Sequence, residues 1–343
     1  MADVVVLFGG PSPERKVSVA TAQHVAAVLE EAEAWFWAQG GGIHRVDRKA
    51  LFAHEKTFEV EFPASGSPAF PSLAAALDDE RSRGAVFFLA LHGTGGEDGT
   101  AQQLFEDRRI AFTGPDAEAS RKAFDKEWAK KLVSAAGVRT AEAIRLPRGD
   151  AKTVASALSP FLRRQGRVVV KPVASGSSVG LYIVQSDADA ERAIAGVAEA
   201  KDEYLAESFV QGTELTVGIV DGESGARALP PTEVRVDRGQ SFDYANKYIA
   251  AGAKEITPAE VPPETTLAAQ QAALAAHRAL GCEGYSRTDV ICDDRGAVFL
   301  ELNTLPGLTR RSFVPQQLQA EGTSMRKFLD GQLALARRRR DRR

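Results

Sequence analysis

Between residues 285 and 303 the chain reads Tyr285-Ser286-Arg287-Thr288-Asp289-Val290-Ile291-Cys292, a turn Asp293-Asp294-Arg295-Gly296, then Ala297-Val298-Phe299-Leu300-Glu301-Leu302-Asn303. The ends alternate polar and apolar, as a β-hairpin does. With Gly296 in the left-handed position of a three-residue loop with a bulge, Asp293 pairs with Ala297, and the register sets Asp289 opposite Glu301 and Arg287 opposite Asn303. All four then share one face while Val290, Val298, Leu300 and Leu302 fill the other. Two carboxylates about 5 Å apart at their β-carbons repel unless positive charge lies between them. A divalent cation meets that need, and oxygen donors without His or Cys favour a hard ion such as Mg²⁺. The alternative is a solvated polar face, and a two-residue loop would shift the pairing and split the set across faces.

Carboxylate-bound metal invites phosphate, and Pro172-Val173-Ala174-Ser175-Gly176-Ser177-Ser178-Val179-Gly180 is a loop of small residues whose N–H groups can approach an anion closely. It lacks a Gly-Lys-Ser/Thr ending, and Leu181-Tyr182-Ile183-Val184 after it is strand-like, so it reads as a strand-loop-strand flap or simply a flexible turn. Lys171 before it is a point charge for phosphate. Glu14 and Arg15 follow Gly9-Gly10-Pro11-Ser12-Pro13, where Glu14 suits a substrate ammonium or merely favours the first turn of a helix. His92 beside Gly93 is a polar contact or a turn residue. Asp243-Tyr244-Ala245-Asn246-Lys247-Tyr248, between predicted elements, reads as a lid.

These segments need elements to hold them. Val4 to Phe8 is a β-branched run followed by a turn and an amphipathic helix from Ser18 to Leu29, and Ala85 to Leu91 is a second apolar run before His92-Gly93-Thr94-Gly95-Gly96-Glu97-Asp98-Gly99 and a helix from Thr100 to Glu106. Strands alternating with helices imply a parallel sheet with functional loops at the strand C-terminal ends. Residues 40–84 are weakly periodic excursions from this first unit, which ends near Gly114-Pro115. A basic helix from Asp116 to Ala136, an α/β stretch with Val168-Val169-Val170-Lys171, and a third unit from about Glu207 follow. The third unit has a strand from Glu214 to Val220, an Ala-rich helix from Thr265 to Leu280 stopped by Gly281, and the hairpin.

The 343 residues suit two or three domains, and 44% hydrophobic with 26% charged residues describes an ordinary folded chain rather than a disordered or fibrous one. A net charge of -3 advertises neither nucleic acid nor an anionic membrane. No run is long enough to span a bilayer and the start has no basic signal-like region, so a cytoplasmic location is expected. Cys282 and Cys292 read as small buried hydrophobes. The last seven residues hold six arginines, which read as a solvated tail or, failing that, a contact for nucleic acid or a partner.

In order, the segments Leu7 to Arg15, Leu91 to Thr100, Val170 to Gly180, Asp243 to Tyr248, and Arg287 to Asp289 with Glu301-Leu302-Asn303-Thr304-Leu305-Pro306-Gly307 resemble the ATP-grasp superfamily, specifically its D-alanine–D-alanine ligases. The resemblance covers most of the chain. It implies an α/β ATP-grasp fold with an N-terminal parallel-sheet domain (1–115), a central nucleotide-binding domain (116–206) and a C-terminal ATP-grasp domain (207–336), followed by the Arg-rich tail (337–343). It implies ATP-dependent ligation of two D-alanine molecules through an acyl phosphate for peptidoglycan precursors. ATP and D-alanine are then the small-molecule partners, no nucleic acid or membrane takes part, and a homodimer is expected.

By the same resemblance Lys126, Lys171, Ser178, Glu207, Val210, Glu214 and Lys247 bind ATP. Asp289, Glu301 and Asn303 hold two Mg²⁺ ions, or Mn²⁺. Glu14 takes the first substrate's ammonium and is tied to Ser177 and Tyr248. Arg287 and the Gly307 backbone stabilise the tetrahedral oxyanion, and His92, Asp289, Ser312 and Phe313 contact substrate. Arg310, Arg311 and Phe313 depart from the family pattern beside the second-substrate pocket, and Ser208 stands where lysine is frequent. Arg310, Arg311 and Phe313 motivate one alternative, the same chemistry with another amino or hydroxy acid as acceptor; a second, of a different class, is a catalytically silent nucleotide-binding module acting through its basic tail.

Overall fold

The computed structural model describes residues 3–174, 180–236 and 253–342. All six residues of β1 (Val4–Gly9) are buried, as expected of a central strand covered on both faces. With β2 (Glu33–Trp37), β3 (Ile43–Val46), β4 (Val86–Leu91) and β5 (Ala111–Phe112) it forms a sheet of order β3-β2-β1-β4-β5, parallel except at the β3 edge. The Ser18 hydroxyl, in the helix Arg15–Val28, accepts from the Gly9 N–H at 2.7 Å and donates to the Ala90 carbonyl, tying the helix to β1 and β4. Strand order reverses between β1 and β4, so the loops after them open into one crevice. Residues 40–84 supply β3 and three short helices, the first against β2 and the second contributing Leu73, Ala76 and Leu77 to the same core.

The basic stretch 116–136 is two helices rather than one, Ala117–Phe124 and Lys126–Ala135. Asp125 breaks it: its backbone is extended and its carboxylate accepts from the Trp128 N–H at 2.9 Å, capping the second helix. Lys126 therefore sits in a first turn. After β6 (Arg139–Thr140) come β7 (Ala143–Leu146), β8 (Val168–Pro172), β9 (Tyr182–Val184) and β10 (Tyr204–Ser208), which make a second, antiparallel sheet of order β7-β10-β8-β9. With the helices Ala151–Gln165 and Asp187–Glu199 it encloses its own core. A third sheet runs β14-β13-β11-β15-β16-β6, from β11 (Thr213–Gly222), β13 (Thr232–Val236), β14 (Ala253–Ile256), β15 (Tyr285–Asp293) and β16 (Gly296–Asn303), with β12 (Gly225–Ala228) beside β11. The Ala-rich helix Pro263–Ala279 covers it, and small side chains let it lie close.

The β15–β16 hairpin reaches the expected pairing by a different route. Gly296 takes a positive φ of 107°, yet Asp293 pairs with Gly296 and Cys292 with Ala297, one residue tighter than the three-residue loop requires. A bulge between the Asp289 and Val290 pairs then absorbs Leu300, and beyond it Asp289 faces Glu301 and Arg287 faces Asn303. The apolar face is corrected accordingly. Val290, Phe299 and Leu302 point into the helix-covered core, Val298 pairs with Ile291, and Leu300 is half-buried at the bulge.

The arginine-rich end is not a solvated tail. Arg337 to Arg342 form the last turns of the helix Met325–Arg342, and Arg339 is buried, its guanidinium 4.2 Å above the Phe112 ring and 2.6 Å from the carbonyls of both Phe112 and Gly114. It satisfies the exposed end of β5. Cys282 and Cys292 are buried and free, with burial pushing both thiols up, Cys292 to about 11. Among the described residues no helix is long and apolar enough to cross a membrane. Arg339→Ala should lower unfolding stability by about 2–4 kcal/mol, through two lost buried charged hydrogen bonds and a stacked ring. Exposed Arg338→Ala should stay within about 0.5 kcal/mol. Urea unfolding checks the contrast, and equal effects would restore the solvated tail.

Candidate active site

Four polar residues share one face of the hairpin because an antiparallel pair alternates its side chains. Arg287 donates to both oxygens of Asp289, from Nε at 2.9 Å and Nη2 at 2.8 Å, and the Thr216 hydroxyl on β11 donates to the same carboxylate. Both members of this pair are buried, and the Arg287 guanidinium lies 5.5 Å from the Phe313 ring centre, within cation–π range. Glu301 is half-buried and lies 3.5 Å from the Lys126 ammonium. The Asn303 Nδ2 atom is buried with no hydrogen-bond partner among the described residues. Among the described residues nothing therefore fixes which polar atom of that amide faces the cleft, and its oxygen is available to join the two carboxylates. Such an oxygen-only set fits a hard divalent cation. Among the described residues no cluster of three or more His, Cys, Asp or Glu competes with it.

Above this face lies a cleft lined by Glu97, Lys126, Glu301, Asn303 and Thr304. Lys126 opens its helix and donates its backbone N–H to the Val173 carbonyl at 3.0 Å, which joins the helix to the second sheet. On that sheet Lys171 in β8 and Glu207 in β10 are buried and 2.9 Å apart. Lys130, one turn beyond Lys126, meets the other Glu207 oxygen at 2.9 Å. Burial opposes charge on all three, but Lys171 and Lys130 outweigh it and hold the Glu207 carboxyl below its usual range. Glu207 and Glu301 likewise outweigh burial at Lys171 and raise its ammonium, whereas burial dominates at Lys130 and lowers it. Glu214 lies in β11 next to Ile291, on the same face as Asp289, and Val210 is half-buried in the connection from β10 to β11.

The β1 and β4 loops supply the rest. Gly93 has a φ of 64°, and a β-carbon there would fall 2.5 Å from a Glu14 oxygen and 2.4 Å from the Ser12 hydroxyl, so only glycine lets the two loops meet. The half-buried Glu97 accepts from the Gly93 N–H and the Leu305 N–H, each at 2.9 Å. His92 takes the other side of Leu305. Its Nδ1 lies 2.9 Å from the Leu305 carbonyl, so Nδ1 carries the proton and Nε2, 3.0 Å away, accepts from the Thr21 hydroxyl. Nδ1 thus holds the segment that leads to Gly307, while Nε2 ties the ring to the helix Arg15–Val28. The Ser312 hydroxyl bonds Thr309, and a β-carbon on Gly307 would come within 2.9 Å of it. Phe313 is buried, while Arg310 and Arg311 are exposed.

One region therefore gathers Glu14, His92, Lys126, Lys171, Glu207, Arg287, Asp289, Glu301, Asn303, Gly307, Ser312 and Phe313. Ser177, Ser178, Lys247 and Tyr248, and with them the flap tip and the lid, lie outside the described residues. Sequence reasoning assigned no role to Glu97, Lys130 or Thr216. Lys130 had a signal, its four-residue spacing from Lys126 on one helix face, and Thr216 had its place in the strand pairing with β15. Glu97 had only its position after β4.

Comparison with known proteins bears on what this arrangement serves. A family model described as the D-ala D-ala ligase C-terminus matches residues 132–333, and one described as the D-ala D-ala ligase N-terminus matches residues 3–115. A D-alanine–D-alanine ligase of Leptospira interrogans is 33% identical over 340 residues, covering 95% of each chain. One of Methylacidiphilum infernorum is 35% identical over 320 residues, covering 93% of this chain and 90% of that one. Among solved structures, the VanG D-Ala:D-Ser ligase of Enterococcus faecalis superposes with a TM-score of 0.81 at 28% identity, covering 97% of this chain and 98% of that one. A D-alanine–D-alanine ligase of Bacillus anthracis gives 0.73 at 28%, covering 99% and 98%.

His92 and Glu97 titrate with opposite consequences. Burial pushes the imidazole down to about 4 from 6.5. Burial and then the Glu14 charge push the Glu97 carboxyl up to about 7 from 4.5, against its two N–H bonds. Neutral His92 contributes stability above pH 6.5 that is lost as pH falls toward 4, and protonated Glu97 contributes stability below pH 4.5 that is lost as pH rises toward 7. Each contribution is of order 3 kcal/mol at most. Relative to the unsubstituted chain, His92→Gln should gain melting temperature on acidification from about pH 7 to 4.5, and Glu97→Gln should lose it. Thermal melts across that range check the signs, and matching slopes would refute both assignments.

Proposed function

Because the chain belongs to the D-alanine–D-alanine ligase family, we propose that it joins two molecules of D-alanine at the expense of ATP, releasing ADP and phosphate. The observation that carries the reading is the convergence of Arg287, Asp289, Glu301 and Asn303 on one hairpin face beneath Lys126 and Lys171. Phosphoryl transfer needs positioning and charge neutralisation rather than covalent help. In this reading the carboxylate of the first D-alanine attacks the γ-phosphate, and the amine of the second attacks the resulting acyl phosphate.

Each described residue then has a task its surroundings suit. Lys126 and Lys171 face phosphate oxygens, while Glu207, Val210 and Glu214 take the adenine and ribose end. Asp289, Glu301 and Asn303 would hold Mg²⁺, which neutralises phosphate charge. Glu14, held against Gly93, receives the first substrate's ammonium. Arg287 is locked by Asp289 and backed by Phe313, so its guanidinium needs no reorganisation when negative charge develops on the tetrahedral oxygen. His92 acts through Leu305, fixing the loop that presents the Gly307 N–H to the same oxygen, and Ser312 beside Gly307 receives the second substrate's carboxylate. An acyl phosphate needs shelter from water, a task for the flap of Ser177 and Ser178 and the lid of Lys247 and Tyr248.

The test is ADP release with product mass across a panel of D-alanine, D-serine and D-lactate. D-alanine alone should support turnover and yield the dipeptide. Turnover only when another acceptor is added would replace this reading with a mixed-product ligase, and no turnover at all would favour a silent nucleotide-binding module. Glu301→Gln should lower kcat about 100-fold or more, and unaffected turnover would remove Glu301 from the metal set.

A further inference from the structure

The Lys130–Glu207–Lys171 cluster holds one more cation than its carboxylate requires. Glu207 Oε1 accepts from Lys130 and Oε2 from Lys171, each at 2.9 Å, and all three side chains are buried. One ammonium would neutralise the carboxylate, and a second buried cation is costly unless it serves an anion. The two lysines are not equivalent. Lys171, near the end of β8, also feels the charge of Glu301 on the hairpin, whereas the charged groups acting most strongly on Lys130 are Glu207 and Lys171 themselves. Lys171 is therefore the one that faces the phosphate side of the cleft.

We propose that Lys130 is a positioning residue that keeps Glu207 paired, so that Lys171 can pass from Glu207 to the triphosphate when ATP binds. This rests on the phosphate-binding role assigned to Lys171 above. A lysine ammonium is a compact charge on a flexible stem and can exchange one oxygen partner for another without ever being unpaired. Glu207 cannot. If Lys171 left it with no second cation, a buried carboxylate would stand alone, and such a group is strongly destabilising. Lys130, anchored on a helix that also carries Lys126, removes that obstacle. Phosphate then competes with Glu207 for one ammonium of two rather than for the only one.

Steady-state kinetics of the full chain with Mg²⁺, ATP and D-alanine test this. Lys130→Met should raise KM for ATP about tenfold or more, the size of one charged hydrogen bond, by a larger factor than any fall in kcat and with KM for D-alanine within about twofold. Lys130→Arg should recover most of the loss. Adding Glu207→Gln to Lys130→Met should bring KM for ATP back down several-fold, because a neutral amide no longer retains Lys171 while its oxygen still accepts a hydrogen bond from the adenine and ribose end; a merely structural Lys130 would make the double variant worse. If Lys130→Met loses its cooperative melt, Lys130→Gln replaces it in both measurements. The inference is overturned if KM for ATP stays within about twofold, if kcat falls instead, or if the double variant is no better than the single. An unsubstituted chain that releases no ADP overturns the functional reading itself, and this inference with it.

Discussion

Asp289 and Glu301 stand directly opposite one another across two strands, and two facing carboxylates cannot share a cleft without positive charge around them. The rest of the site answers that constraint. Arg287 comes from the same strand as Asp289, Lys126 from the turn of a helix made by the Asp125 cap, and Lys171 from a different sheet. These cations come from separate elements, so the site exists only where the elements meet. An ATP-binding enzyme benefits, because the cations that balance the carboxylates in its absence are the ones a polyphosphate meets on arrival.

The first sheet contributes geometry more than charge. Leu305 is gripped at both backbone groups, its N–H by Glu97 and its carbonyl by His92, and both partners sit in one loop after β4. The first core also takes in Leu305, Leu308, Val314 and the C-terminal helix residues Phe328, Leu329, Leu333 and Ala336, while Arg339 closes the far end on β5. Through Leu305 and Leu308 the stretch from Asn303 to Ser312 is thereby packed onto the first sheet. The position of Gly307 follows from that packing.

Much of this was legible in the residues. Period-two alternation fixed the polar face of the hairpin, β-branched runs fixed β1 and β4, and the loops after them carry Glu14 and His92 as parallel-sheet logic requires. The hairpin register was reached through an error of one residue at the turn that the Leu300 bulge cancels, because a bulge depends on cross-strand packing that no single strand's pattern reveals. Lys130 and Glu97 were missed for a related reason: their roles are defined by partners 77 and 208 residues away. Charge runs mislead in the same way, since Arg339 looks solvated until the Phe112 ring is placed beneath it.

The three cores are unequally joined. The second sheet and its helices enclose a core of their own, and the contacts that tie this unit to the helix Lys126–Ala135 are polar: the Lys126 N–H to Val173, Lys130 to Glu207 and Arg145 to Glu127. A polar seam can exchange its partners one at a time, unlike an interdigitated apolar interface that must be pulled apart. Lys171 and Glu207 belong to the unit beyond that seam, whereas Arg287, Asp289, Glu301 and the Leu305 clamp belong to the part joined by apolar packing. On the proposed roles the nucleotide would span this seam, with Lys171 and Glu207 on one side and Lys126 and Glu214 on the other, while Arg287 and the Leu305 clamp lie wholly on the second side, where charge exchange at Lys171 does not disturb their geometry.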